Sequence, residues 1–180
     1  VLLRGLPFTD SGQIVVIGTR DTRGNNRGMS IRHFEDLRPG STLFDGMTLI
    51  FFANLNVSDD SGQPPDRYPG PYLSSNIFRI VEQAPALGRT FTEEDDRPGA
   101  APVVMLGNGI WKSRYGAEPS IGGRTIKVNG LPLTVVGVMP EDMKFPPNSD
   151  LWIPFSQLSP GLKDDRRDAR TLQVMARMKP

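Results

Sequence analysis

Arg124-Thr-Ile-Lys-Val-Asn-Gly-Leu-Pro-Leu-Thr-Val-Val-Gly-Val-Met-Pro140 is the stretch on which the fold of this chain turns. Asn129-Gly130 is a strong hairpin signal, because both central positions of a type I′ turn need positive φ. A two-residue loop sets the alignment: Val128 faces Leu131, Lys127 faces Pro132, Ile126 faces Leu133 and Thr125 faces Thr134. Ile126, Val128, Leu131 and Leu133 then share one face, the side expected against a core. Turn chemistry and apolar pattern demand the same register. Pro132 falls in a non-hydrogen-bonded pair, so it costs the hairpin nothing. A third strand on that side would lose a bond, which predicts an edge or a bulge there.

The bulk composition narrows the classes. A chain of 180 residues holds one large domain or two small ones. The 21 basic and 20 acidic residues leave a charge of +1, without a basic stripe interleaved with aromatics, so nucleic acid is not an expected partner. No apolar run reaches the roughly 18 residues of a membrane span. Cysteine is absent, which excludes disulfides, thiol catalysis and cysteine-based zinc sites without fixing a compartment. Glycine (19) and proline (17) are abundant, pointing to short strands joined by defined turns.

Outward from the hairpin, the pattern reads mostly as strand. Val1 to Phe8 is either a frayed terminus or the outer end of a membrane helix. Ile14 to Ile17 reads as a strand buried on both faces. Ser30 caps a short helix, Ile31 to Arg38, with Ile31, Phe34 and Leu37 as its apolar stripe and Pro39-Gly40 as its stop. Met47 to Val57 alternates as a long strand, giving strand, helix, strand and a βαβ-like unit. Asp59-Asp60-Ser61-Gly62 reads as a turn. A strand follows at Arg67 to Leu73, interrupted by Pro69-Gly70-Pro71, then a helix at Asn76 to Gln83 that must end before Pro85. Val103 to Leu106 is a buried strand. Asn108 caps a helix in which Trp111 and Tyr115 stack, and Gly116 ends it. Leu151 to Phe155 reads as an edge strand, Leu158 to Asp168 as a polar loop, and Leu172 to Met178 as a last alternating strand.

Few residues invite chemistry. His33, the only histidine, is expected in solvent, and no Ser-His-Asp set or histidine metal site can be assembled around it. Glu93, Glu94, Asp95 and Asp96 follow Thr92, where carboxylates suit a first helical turn and Asp95 can close a capping box. They lack the ligand spacing of a calcium loop. Gly107-Asn108-Gly109 has the setting of a phosphate loop but not its third glycine or its lysine, so a tight strand-to-helix turn explains it. Trp111 with Tyr115, and Trp152 with Phe155, are candidates for a ligand groove or for core. No catalytic, cofactor or metal site is assigned, and no enzyme activity is expected.

Six blocks in order resemble one family: Pro85-Ala-Leu-Gly-Arg-Thr-Phe91, Pro102-Val-Val-Met-Leu106, Trp111-Lys-Ser-Arg-Tyr-Gly116, Gly123-Arg-Thr-Ile126, Val135-Val-Gly-Val-Met-Pro140 and Asp150-Leu-Trp-Ile-Pro154. They are similar to the MacB-like periplasmic core domain of FtsX-type ABC transporter permeases. The resemblance implies an α+β fold of two subdomains. A porter-like β-α-β part, incomplete here, would take residues 1–73 and 166–180. A mostly β, Sabre-like part carrying the Asn129-Gly130 hairpin would take 74–165. It also implies a non-catalytic extracytoplasmic domain of an inner-membrane protein, relaying ATP-driven motion to a substrate or an adaptor. The implied partners are an ABC ATPase subunit or domain, a periplasmic adaptor and a second permease copy, with membrane attachment outside this stretch. The competing reading is a periplasmic module that binds or senses a peptide, lipid or drug between its subdomains.

Overall fold

The computed structural model describes residues 11–59 and 62–179, so the expectations for Val1 to Phe8 and for Asp60 and Ser61 lie outside it. Among the described residues the elements run β1 (Ile14–Ile17), β2 (Thr19–Arg20), β3 (Asn26–Arg27), α1 (Ile31–Gly40), β4 (Phe44–Ser58), β5 (Asp66–Leu73), α2 (Ile77–Ile80) and β6 (Leu87–Gly88). There follow β7 (Val103–Leu106), α3 (Asn108–Tyr115), β8 (Thr125–Val128), β9 (Leu131–Val138), β10 (Leu151–Pro154) and β11 (Gln173–Met178). The class is α+β, as predicted: nine strands form one hydrogen-bonded sheet, and β2–β3 form a separate ribbon.

At one end of the sheet, β11 lies between β1 and β4 and is antiparallel to both. β1 and β4 therefore run the same way, joined by the crossover helix α1, which is the expected βαβ-like unit with a third strand slotted into it. Ser30 caps α1, its hydroxyl accepting from the His33 backbone N–H at 3.2 Å. Phe34 packs into a cluster of Met29, Met47, Leu49, Leu172, Val174 and Ala176. The helix runs through Pro39 and Gly40 before Ser41 turns extended, two residues beyond the predicted end at Arg38. In β1 only Ile14 is fully buried, because β1 pairs with β11 alone among the named strands.

The rest of the sheet closes on itself. β4 pairs with β5, β5 with β10, β10 with β7, β7 with β9, β9 with β8, and β8 returns to β4. Side chains from the shared face of this six-strand ring form one core: Leu55, Val57, Tyr72, Leu151, Ile153, Val104, Leu106, Leu133, Val135, Ile126 and Val128. Ile110 and Tyr115 of α3 and Ile121 join it. A second core on the opposite face unites Ile14, Ile50 and Met175 with Ile77, Phe78, Met143, Phe145 and Trp152. β4 contributes to both cores, which its length of 15 residues makes possible.

The hairpin holds the predicted register at all four pairs. Asn129 and Gly130 take φ of 51° and 80°. The turn is also stitched to β4: the Asn129 N–H donates to the Asn56 carbonyl at 2.8 Å, and the Asn56 N–H donates to Asn129 Oδ1 at 3.0 Å. Pro132 behaves as expected, since the β7 partner of β9 begins only at Val103 opposite Thr134. Leu131 departs from expectation. It is 59% exposed because it sits beyond the last β7 pair, at the rim of the ring.

Four further elements differ from the sequence pattern. β10 is central, not an edge: it lies between β5 and β7, with all four residues buried. β5 is continuous through Pro69-Gly70-Pro71. The Pro69 carbonyl accepts from the Asp150 N–H at 2.9 Å, so Pro69, and Pro71 two residues on, turn their missing N–H groups toward β10 and leave the β4 ladder whole. α2 is only Ile77–Ile80, because Glu82 adopts a φ of 54° that ends the helix early. Gly107, not Asn108, is the N-cap of α3. Asn108 is the first helical residue and its Oδ1 is buried without a hydrogen-bond partner.

Gly130→Ala is expected to destabilise the chain by about 1–2 kcal/mol, the cost of a left-handed residue with a Cβ. Asn129→Ala is expected to cost more, since it also removes the side-chain acceptor for Asn56, worth about 1 kcal/mol. Urea unfolding of both variants checks this, and losses below about 0.5 kcal/mol would make the turn dispensable.

Candidate functional site

The residues singled out in the sequence are used by the fold. Trp152 is fully buried, stands edge-on to Phe78 with ring centroids 5.9 Å apart, and donates its indole N–H to the Phe145 carbonyl at 2.9 Å. Trp111 donates to the Glu118 carbonyl at 2.9 Å, bracing the turn after α3. His33 Nδ1 lies 2.9 Å from the Ser30 hydroxyl at the α1 cap and is half-buried, more sheltered than predicted. A Cβ on Gly107 would lie 2.7 Å from the Asp150 carbonyl oxygen, so backbone contact between β7 and β10 explains that glycine.

The acidic turn is a structural knot. Thr92 and Asp95 form the predicted capping box, with the Thr92 N–H donating to Asp95 Oδ2 at 2.7 Å and the Asp95 N–H donating to Thr92 Oγ1 at 3.3 Å. Arg89 adds a two-pronged ion pair to the same carboxylate at 2.6 and 2.9 Å. Burial works to raise the Asp95 pKa, but the Arg89 and Thr92 hydrogen bonds outweigh it and hold the group below the usual carboxylate range. Asp96 spans two segments, accepting from the Ser75 N–H at 3.0 Å and the Ser156 N–H at 2.8 Å. Among the described residues, no group of three histidine, aspartate or glutamate side chains is placed to hold a metal.

A buried ion pair was not foreseen. Asp59, assigned to a turn, accepts from Arg114 at 3.2 and 3.3 Å and from the Tyr115 hydroxyl at 2.5 Å. The Asp59 and Arg114 side chains are only 3% and 2% exposed. Arg114 further donates to the Pro64 carbonyl at 3.0 Å. Burial raises the Tyr115 pKa, and the neighbouring Asp59 carboxylate raises it further, so the phenol stays protonated. Arg114 and Tyr115 stand one after the other at the end of α3, and their pairing joins that helix to the chain leaving β4. A sequence separation of 55 residues hides this pair from any local pattern.

Among the hollows that open on the surface, two lie beside exposed large apolar residues. One, of about 200 Å³, lies at the rim of the ring among Tyr72, Val128, Leu131, Leu133, Ile153 and Gln157. The other, a groove of about 600 Å³, has Val16, Phe52 and Gln173 on its floor and Arg20, Arg27 and Arg170 on its rim. Phe52 is 50% exposed there. Gly28 lets the β2–β3 ribbon press on the chain before β11, since a Cβ would meet the Leu172 and Arg170 carbonyl oxygens at 2.6 and 2.7 Å. Arg27 is paired with Asp21 at 3.1 Å. The Asn25 backbone N–H and side-chain amide, with Arg27, hold the Asp21 pKa down to about 2. Among the described residues Arg20 and Arg170 have no carboxylate partner, and no carboxylate lines the groove.

Residues 5–180 match the family model of the MacB-like periplasmic core domain. No curated protein matches the chain. Among solved structures, the periplasmic region of MacB from Actinobacillus actinomycetemcomitans is similar, with a TM-score of 0.69 and 15% identity over 92% of this chain and 74% of that one. The extracellular domain of the noncanonic ABC-type transporter YknZ from Gram-positive bacteria has a TM-score of 0.68 and 15% identity over 93% and 84%. Identities this low establish a shared fold.

Removing one partner of the buried pair strands a charge, so Asp59→Ala is expected to cost about 3–5 kcal/mol. The double change Asp59→Leu with Arg114→Met is expected to recover part of that in urea unfolding; a single-variant cost below about 1 kcal/mol would contradict the geometry. Asp95 has a folded pKa below its unfolded value. Its contribution is therefore full above the unfolded value near 4 and lost as pH falls through the depressed one. Asp95→Asn is expected to lower stability at neutral pH and to flatten the decline below about pH 4, read from unfolding midpoints across that range.

Proposed function

Because the chain belongs to the family of MacB-like periplasmic core domains, we propose that it is the extracytoplasmic part of an ABC-type permease and relays ATP-driven motion without doing chemistry itself. The observation that carries this reading is the family match across residues 5–180. The continuous nine-strand sheet supports it physically, since a load applied at β1 or β11 reaches the ring through backbone hydrogen bonds of β4 rather than through a flexible linker. Among the described residues no helix is long and apolar enough to cross a membrane; we assign anchoring to other segments of the parent protein. We assign residues 1–73 and 166–180 to a porter-like part and 74–165 to a mostly β part, with β4 paired in both strand systems. An ABC ATPase would supply the motion, a second permease copy would complete the transporter, and an adaptor or substrate outside the membrane would receive the push.

Distance measurements in the parent transporter test the relay. The described chain has no cysteine, so a pair of labels at Leu43 and Leu131, both exposed, reports on the body alone. The expectation is an unchanged Leu43–Leu131 distance with and without ATP, together with an ATP-dependent change between Leu131 labels on the two permease copies. An internal change of shape on ATP addition, or ATP binding by the isolated 180-residue chain, overturns the reading.

A further inference from the structure

We propose that the groove beside the β2–β3 ribbon is a binding site for an anionic amphiphile, a single apolar chain bearing a phosphate or carboxylate. This goes beyond the relay reading and does not depend on it. Val16 of β1 and Phe52 of β4 supply the groove's apolar lining, and Phe52 is half exposed where its strand neighbour Ile50 is fully buried. The rim is cationic, with Arg20 and Arg27 on the ribbon and Arg170 on the facing segment. Of these, among the described residues, only Arg27 is paired with a carboxylate.

The placement is set by the backbone. Thr19 donates its hydroxyl to the Gly28 carbonyl at 2.9 Å, the Met29 N–H donates to the Leu172 carbonyl at 2.7 Å, and the Leu172 N–H donates back to the Met29 carbonyl at 3.1 Å. These bonds and the close approach of Gly28 fix the two rims of the groove against each other. Arg170 Nη1 lies 3.5 Å from the Arg20 carbonyl, a long contact, and among the described residues its guanidinium makes no ion pair. Guanidinium groups in this arrangement offer paired N–H donors to a phosphate or carboxylate. A volume of about 600 Å³ accommodates an anionic head at the arginines with an alkyl chain over Phe52.

Octyl phosphate below its micellar concentration is the probe, titrated by calorimetry into the 180-residue chain. Saturable one-to-one binding is expected, at least tenfold tighter than that of octyl glucoside or inorganic phosphate. Arg20→Ala and Arg170→Ala are each expected to weaken it about tenfold. Phe52→Ser should weaken it too, while Arg23→Ala, an exposed arginine that does not line the groove, leaves it unchanged. Circular dichroism confirms that each variant is folded, and all replace exposed or half-buried side chains. The proposal is overturned by absence of saturable binding, by equal affinity for octyl glucoside, or by binding that survives loss of both Arg20 and Arg170. Adsorption to phosphatidylglycerol vesicles without binding of the monomeric probe, or preference for an acidic peptide, also overturns it.

Discussion

Closure of the six-strand ring by the β8–β9 hairpin is the constraint on which the rest of the structure depends. The ladder between β4 and β8 has only two residue pairs, Val57 with Val128 and Ser58 with Lys127. On its own that is a weak seam. It holds because the turn adds two hydrogen bonds between Asn129 and Asn56 directly beside it, and because Leu55, Val57, Ile126 and Val128 are all buried behind it. An open seam would expose the second half of β4 and the free side of β8, the unpaired edges that natural sheets avoid. One Asn-Gly turn therefore governs more than its own hairpin.

The same seam explains why β4 is so long. Its first half pairs with β11 and its second half with β5 and β8, so a single strand carries the alignment of the β1–β11 end into the ring. Thr48 and Leu49 are buried at one end and Leu55 and Val57 at the other, with exposed Phe52 and Asn54 between. Phe51 and Ala53 on the other face still pack against the ring core, so the exposed middle is one-sided, and the arginine-rimmed groove opens on the Phe52 side.

What was legible in the sequence was what a few neighbouring residues decide. The hairpin register, the Ser30 cap, the Thr92–Asp95 capping box, the Gly116 stop and the bounds of β1 and β7 all follow from contacts within about one turn of chain. What escaped was what distant chain decides. Leu151 to Pro154 looked like an edge because it is short and ends in proline, yet β5 and β7 enclose it. Pro69 and Pro71 looked like a break because nothing local says which side of the strand has no ladder to lose. Asp59 looked like a turn residue because its partners stand 55 and 56 positions away. The groove escaped for the same reason: Arg20, Phe52 and Arg170 share no motif and meet only through the β1–β11–β4 pairing.

The charges divide into two populations that composition cannot separate. Asp59, Asp95 and Asp96 are each bound by two or more donors, and their partners tie together segments far apart in the chain or close a cap. Such groups are rigid and occupied, poor starting points for acid–base or metal chemistry, where a carboxylate must be free to exchange its partner. Arg20 and Arg170 are the reverse, well placed by backbone contacts yet without a countercharge among the described residues. A body meant only to transmit force has no physical need for such a pair beside an exposed phenylalanine, since neutral side chains would hold the ribbon to β11 equally well. That surplus of positive charge beside exposed Phe52 is a feature that stability does not account for, and it is therefore where a ligand is to be sought.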